Sequence, residues 1–424
     1  MNIKELFKGI AVVIDDQVNK TESDDSILKI IERLENENIP LLKYEYIPDD
    51  DIIKNFHNVS FVLLDWELFD RPKGVSFDDQ LHIDNVIEFL IKLKEVSFVP
   101  VFIFSRLPPD DIKNLLVKRN LFKEGASNYI FIKRKSDLLS DDEENKLFNE
   151  IENWLKQTPS IYVLKEWENA LNKAKNNLFW DFYNINHKWP SILQKTFTED
   201  GSDVNYELGN FIFKNIMART EPIEFDEDIL KLEDNELTQD EIRKVLEAER
   251  FIKSDLLPDN PFSGDLFALH YYEIYKDSKK EKLKFFINIR PDCDIIRDKD
   301  SVKKGQKKLK SDNPDYNPEL YCLECELIKN IELHNNGAII ERNDSSIIPF
   351  VYDGKILKVR FDKIHIFKWK QSLMKKGETN KRIFKEARVG RVLPPYITAI
   401  QQKYAFYLQR QGLPAIPRKA IKDD

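Results

Sequence analysis

Five short apolar runs punctuate the first 160 residues: Ile10–Ile14, Leu41–Ile47, Val59–Leu64, Val99–Phe104 and Asn128–Ile132. Each is too short for a helix and rich in β-branched or aromatic residues, so each reads as a strand. Between them the period changes to that of a helix. Ser26–Asn36 puts Ile27, Ile30, Ile31 and Leu34 on one face, and Asn85–Lys94 does the same with Val86, Phe89, Leu90 and Leu93. Asp110–Arg119 and Glu143–Lys156 complete the set. Strands alternating with helices predict an α/β fold, a doubly wound five-stranded parallel sheet covered on both faces.

The texture then shifts twice. Residues 160–257 read as helical, clearest over Lys165–Asn176 and Thr238–Ile252, where Thr238 and Glu241 have the spacing of a capping box. The acidic run Glu221–Asp234 reads as a linker or loop. From about Gly264 strands return: Leu266–Tyr275, Lys284–Ile289, and Ile347–Tyr352 with Lys355–Phe361 flanking the turn signal Asp353-Gly354. Ser301–Asn313 is polar and reads as a loop. Two helices are expected to close the chain. The last starts at Pro394-Pro395, carries Ile397, Ile400, Tyr404 and Leu408 on one face, and stops at Gly412. The predicted organisation is a sheet domain over 1–158, a helical segment over 159–258, and an α+β domain over 259–424.

Length agrees with this division, since 424 residues correspond to two or three domains. With 42% hydrophobic and 33% charged residues the chain is not broadly disordered. No apolar run reaches the ~18 residues of a membrane span, and the apolar start runs straight into Asp15 and Asp16, unlike a signal peptide. Three cysteines cannot build a disulfide framework, so a reducing, cytoplasmic setting is expected. The net charge of −8 is unevenly spread, and residues 351–424 carry 18 Lys/Arg against 6 Asp/Glu. Such a tail suits either an external polyanion, nucleic acid included, or the chain's own acidic body.

Function in an open parallel sheet sits at the carboxyl ends of its strands. The first strand ends in Asp15-Asp16, the third in Asp65-Trp66-Glu67, the fourth in Ser105 and the fifth in Lys133. Three clustered aspartates repel one another unless a cation holds them, and an oxygen-rich pocket suits Mg²⁺. A lysine and a hydroxyl opposite would cradle a tetrahedral anion such as a phosphoryl group.

This constellation resembles the flavodoxin-like receiver domain of two-component response regulators, over roughly residues 5–157. The resemblance implies that Asp15 and Asp16 bind Mg²⁺ together with Asp65 and the backbone carbonyl of Glu67. It implies that Asp65 accepts the phosphoryl group from a histidine kinase or phosphotransfer protein, that Lys133 pairs with it, and that Ser105 moves toward it. Where the family has proline after the lysine this chain has Arg134, and Ile130 stands at the aromatic switch position between Tyr129 and Phe131. An extra stretch, Phe69–Gln80, lies beside the site. The implied function is that of a phosphorelay protein switching or buffering an output. Phosphorylation of Asp65 is self-modification rather than turnover, and homodimerisation fits the same pattern.

Other signals point less far. Cys293, Cys322 and Cys325 with His334 could make a zinc site. The Cys-x₂-Cys segment lacks a knuckle glycine or proline, however, and as a strand would send its thiols to opposite faces. Buried, idle thiols are the expectation. Asp292 and Asp294 follow a strand and open an alternative, an effector hydrolase or nuclease; region 264–367 loosely resembles partners of receiver domains in bacterial defence systems. The stretch Arg388-Val389-Gly390-Arg391, Tyr396, Gln401-Gln402-Lys403-Tyr404, Arg410 interleaves bases with aromatics and suits a nucleic-acid-binding regulator, although an amphipathic helix with a solvated basic face explains it as well. There is no P-loop or dinucleotide fingerprint.

Overall fold

Side chains along a strand alternate between faces, and in the N-terminal sheet that alternation divides the apolar residues into two cores. The computed structural model describes residues 3–19, 26–68, 79–123, 128–138, 146–200, 203–231, 237–275, 278–296, 317–328, 344–373 and 383–409. The chain forms two compact units, 1–186 with 213–232, and 187–212 with 233–424.

The first unit contains α1 (Ile3–Leu6), β1 (Ile10–Ile14), α2 (Ser26–Asn36), β2 (Leu41–Tyr44), α3 (Asp50–Ile53), β3 (Val59–Asp65) and α4 (Asp79–Val96). It continues with β4 (Val101–Ser105), α5 (Pro109–Lys118), β5 (Ile130–Arg134), α6 (Lys146–Gln157) and α7 (Pro159–Ile185). The five strands are all parallel, in the order β2-β1-β3-β4-β5. Val13, Phe61, Leu63, Phe102 and Phe131 meet Ile30 and Leu34 of α2 and Ile151 and Trp154 of α6 on one face. Val12, Val62, Leu64, Ile103 and Ile132 meet Phe89 and Leu90 of α4 and Ile112 and Leu116 of α5 on the other. Phe102 anchors the first face through edge-on contacts to Phe7, Phe61, Phe131 and Trp154 at 5.5–5.8 Å. The expected elements are present with shifted ends: β5 starts two residues later and ends two later, and α4 is much longer.

α7 was expected to begin a separate helical segment, yet it belongs to the first unit. Its buried Lys165 donates to the Ser60 carbonyl at 3.2 Å, and Asn169 donates to the Leu6 carbonyl at 3.1 Å. The helical stretch 159–258 is therefore shared between the units. α8 (Trp189–Glu199) follows, and α9 (Val204–Arg219) runs from one unit's residues into the other's. In the expected acidic linker, α10 (Glu227–Leu230) buries Ile229 in the first core.

In the second unit, α11 (Gln239–Arg250) opens with the expected capping box of Thr238 and Glu241. It leads into β6 (Phe251–Lys253), β7 (Asp265–Tyr275), β8 (Ser278–Asn288), α12 (Asp292–Ile296), β9 (Glu319–Leu327), β10 (Ser345–Val351), β11 (Lys355–Lys368), β12 (Arg388–Val392) and α13 (Tyr396–Leu408). These seven strands pair antiparallel in the order β10-β11-β9-β8-β7-β12-β6. The Asp353-Gly354 turn joins β10 to β11 with positive φ at both residues, and the Glu247 carboxylate accepts from both of their backbone amides.

Two features differ from expectation. Arg388–Val392 forms an inner strand, and one helix rather than two follows among the described residues. On α13, Ile397 and Ile400 are buried and Tyr404 and Tyr407 pack beside them, whereas Leu408 is 63% exposed. The Ser301–Asn313 loop lies outside the described residues. Among those described, no helix is long and apolar enough to cross a membrane.

Candidate functional site

Asp15 is the first residue beyond β1, Asp65 and Ser105 are the last of β3 and β4, and Lys135 is the first beyond β5. Parallel pairing brings all four ends to one edge of the sheet. Metal-capable atoms of Asp15, Asp16 and Asp65 lie within 4.8 Å of one another, the one such group of three among the described residues. Asp15 is fully buried and Asp65 nearly so, while Asp16 is partly exposed, leaving the cluster open on one side.

The cation that answers these carboxylates is Lys135, not the expected Lys133. Its Nζ lies 2.7 Å from Asp15 Oδ2 and 2.9 Å from Asp65 Oδ2, with its own side chain 4% exposed. Lys133 lies inside β5 and turns toward α6, where its Nζ meets Glu150 Oε2 at 2.7 Å. The reason is register. Phe104 pairs with Lys133 and Ser105 with Arg134, so the strand continues past Ile132 and the turn that aims a side chain over the edge begins at Lys135. In Ile130–Lys135 the strict in–out alternation through Lys133 was the signal: a residue on the Phe131 face faces α6.

Backbone amides hold the acids in place. Gln17 N–H donates to Asp15 Oδ1 at 2.9 Å, and Glu67 N–H donates to Asp65 Oδ1 at 3.1 Å. The Gln17 side-chain Nε2 donates to Asp16 Oδ2 at 3.0 Å. Burial pushes the Asp65 carboxyl up to about 7; Lys135 pulls it down and Asp15 pushes it further up. Burial works against the Lys135 ammonium, but Asp65 and Asp15 outweigh it and hold its pKa above the ordinary lysine value.

The expected hydroxyl, Ser105, is buried and joined to the acids through Glu67. Glu67 Oε2 accepts from the Arg106 amide at 3.1 Å and from Ser105 Oγ at 3.5 Å, and Ser105 Oγ accepts from Leu107 N–H at 2.9 Å. The Glu67 side chain thus clamps the β4 end, a role that the sequence reading, concerned with its carbonyl, missed. Most of Phe69–Gln80 lies outside the described residues.

The other sequence candidates do not assemble into centres. Cys322 and Cys325 are buried in cores on opposite faces of the antiparallel sheet, as their three-residue spacing dictates, so one metal ion cannot take both. Burial raises both thiols far above the usual value. The Cys293 side chain and His334 lie outside the description. Asp292 accepts from Ser263 N–H at 2.7 Å and from the Tyr206 hydroxyl at 3.4 Å, and with Asp294 forms no three-acid group among the described residues. Arg388 and Arg391 both pair with the buried Asp265, at 3.5 and 2.7 Å, so these two bases of the C-terminal stretch are spent inside the fold.

No family model matches the chain, and no curated protein does. Among solved structures, a yeast Spc42 trimeric coiled-coil fusion is similar at 13% identity over 42% of this chain and 89% of that one, with a TM-score of 0.24. A likeness at that level assigns neither fold nor function.

Proposed function

We propose that the first unit is a receiver-like module that accepts a phosphoryl group on Asp65. The observation that carries this reading is the Lys135 ammonium set between Asp15 and Asp65 at the carboxyl edge of a β2-β1-β3-β4-β5 parallel sheet. That strand order is the flavodoxin-like one, with its ligand site at the β1/β3 switch point.

The donor set of three carboxylates suits a hard divalent ion. Mg²⁺ held by Asp15, Asp16, Asp65 and the Glu67 carbonyl would neutralise charge on the phosphoryl oxygens. In the transfer, an Asp65 oxygen bonds to phosphorus as the P–N bond to a partner's phosphohistidine breaks. The electron pair leaves with the imidazole nitrogen, which takes a proton from water. Lys135, released from Asp65, then pairs with a phosphoryl oxygen. Ser105 leaves Glu67 for the new negative charge, and the loop into α5, whose Leu107 amide it holds, shifts with it. With Lys135 in the lysine role, the residue three before it is Ile132 and the next is Ser136, so the switch does not run through an aromatic rotamer there.

Intact mass after incubation with acetyl phosphate and Mg²⁺ tests the reading. One added phosphoryl group is expected on the wild type, and none on Asp65→Asn or without the metal. A folded wild type that gains no mass, even from phosphohistidine donors, sinks it.

A further inference from the structure

The second unit contains a cleft of about 870 Å³, separate from the carboxylate site and within the size range of small-ligand sites. The aromatic and basic stretch of the C-terminal sequence supplies one side of it, through Arg391, Gln401 and Tyr404. Tyr206, Phe262 and Asp292 line it as well.

Its walls favour a flat ligand. Tyr206 and Phe262 stack at 5.1 Å with their planes 30° apart. The Arg391 guanidinium lies 4.5 Å from the Phe262 ring centre, fixed by its 2.7 Å bond to Asp265. Aromatic rings and a guanidinium plane in series form a stacking platform for a heterocycle.

Its polar groups form an ordered edge. Gln401 Nε2 donates at 2.9 Å both to Ser263 Oγ and to the Ile289 carbonyl. Both amide protons are thereby used, and the Gln401 carbonyl oxygen accepts from no described residue. Ser263 Oγ receives that bond and keeps its own proton to donate. Asp292 Oδ1 holds the Ser263 backbone amide at 2.7 Å, and each carboxylate oxygen retains an acceptor site. The edge therefore presents a donor, Ser263, flanked by two acceptors, Gln401 and Asp292. Arg391 is the one base among the described lining residues and is already paired, so none of these residues selects a phosphate.

We propose that this cleft binds a purine base with an adenine-type edge. The exocyclic amino group donates to Gln401 or Asp292, and the adjacent ring nitrogen accepts from the Ser263 hydroxyl. Guanine would set its carbonyl oxygen against an acceptor. An adenine ring reaches such a cleft in a free nucleoside or nucleotide, or as a base of a single strand.

Calorimetry of the full chain with adenosine, guanosine and a short oligoadenylate tests this. Adenosine binds, and guanosine binds at least about tenfold more weakly. Ser263→Ala, which keeps the backbone bond to Asp292, weakens adenosine about tenfold, as loss of one buried hydrogen bond predicts. Gln401→Leu does the same, with melting of the free protein as the check on folding. Asp65→Asn leaves binding unchanged, which separates this site from the phosphoryl reading. Tighter binding of oligoadenylate assigns the ring to a strand; equal or weaker binding assigns it to the free nucleoside. No adenosine heat at millimolar ligand, equal guanosine affinity, or a Ser263→Ala protein that binds like wild type overturns the proposal.

Discussion

The Lys135 ammonium lies 2.9 Å from the Asp65 carboxylate, both side chains nearly sealed from water. A buried pair of this kind costs desolvation on both sides, and adding the Asp15 charge makes a net acidic cluster. Fold stability alone does not call for it.

Removing Lys135 leaves two buried carboxylates facing each other. On the proposed function, Lys135→Ala should abolish phosphoryl uptake from acetyl phosphate, and it should lower the melting temperature by several degrees. Lys133→Ala loses one half-exposed bridge to Glu150, so uptake stays within about twofold of wild type and stability within about 1 kcal/mol. Phosphorylation time courses on the two variants distinguish the lysines.

The raised pKa of Asp65 makes metal-free stability depend on pH. The folded carboxyl holds its proton up to about 7, against 3.8 for the ordinary group, so across that interval the folded state binds more protons and stability falls as pH rises. The melting temperature of Asp65→Asn relative to wild type should climb by several degrees between pH 4 and pH 7, then level off. Mg²⁺ above neutrality should restore the wild type and leave the variant unmoved. A flat difference across that range refutes the assignment.

Glu67 competes for the groups that a phosphoryl oxygen would attract, the Ser105 hydroxyl and the Arg106 amide. Glu67→Gln removes a negative charge two residues from Asp65, the proposed acceptor, and loosens the clamp. Uptake from acetyl phosphate should quicken several-fold, read as the rate of mass gain.

Gly390 sits where β12 pairs with β6, opposite Lys253. A Cβ there would collide with the Ile252 carbonyl oxygen and with the buried Phe251 ring. Gly390→Ala should cost about 1–3 kcal/mol, as overpacking does, read as a lowered transition in a thermal melt.

Burial and raised pKa predict silent thiols at Cys322 and Cys325. Peptide mapping after iodoacetamide treatment should find both unlabelled in the native protein and labelled in urea. Labelling of either under native conditions contradicts the two-core placement.

The N-terminal half was legible because its apolar runs are short, separate and bounded by polar turns. Ser26–Asn36 was bounded to the residue, and Asp15, Asp16, Asp65 and Ser105 were placed by strand ends alone. Lys135 escaped because Lys133, Arg134 and Lys135 are chemically alike, and only pairing with β4 says where the strand stops. Arg388–Val392 escaped for a related reason. Its two arginines looked solvated, whereas both turn inward onto Asp265, a partner over 120 residues away in sequence. The cleft of the second unit was illegible, since its walls come from α9, the loops around β7 and β8, and α13.

The polypeptide passes from one unit to the other at 186/187, again within α9 at 212/213, and a third time at 232/233. No single cut can divide it into two complete halves. A fragment ending at 158 would lack α7 with its Lys165 anchor, and also the returning segment in which Phe225 packs on Tyr162 and the Asp226 amide bonds the Tyr162 hydroxyl. An expressed first unit must run to about residue 232 and carry α8 as a passenger.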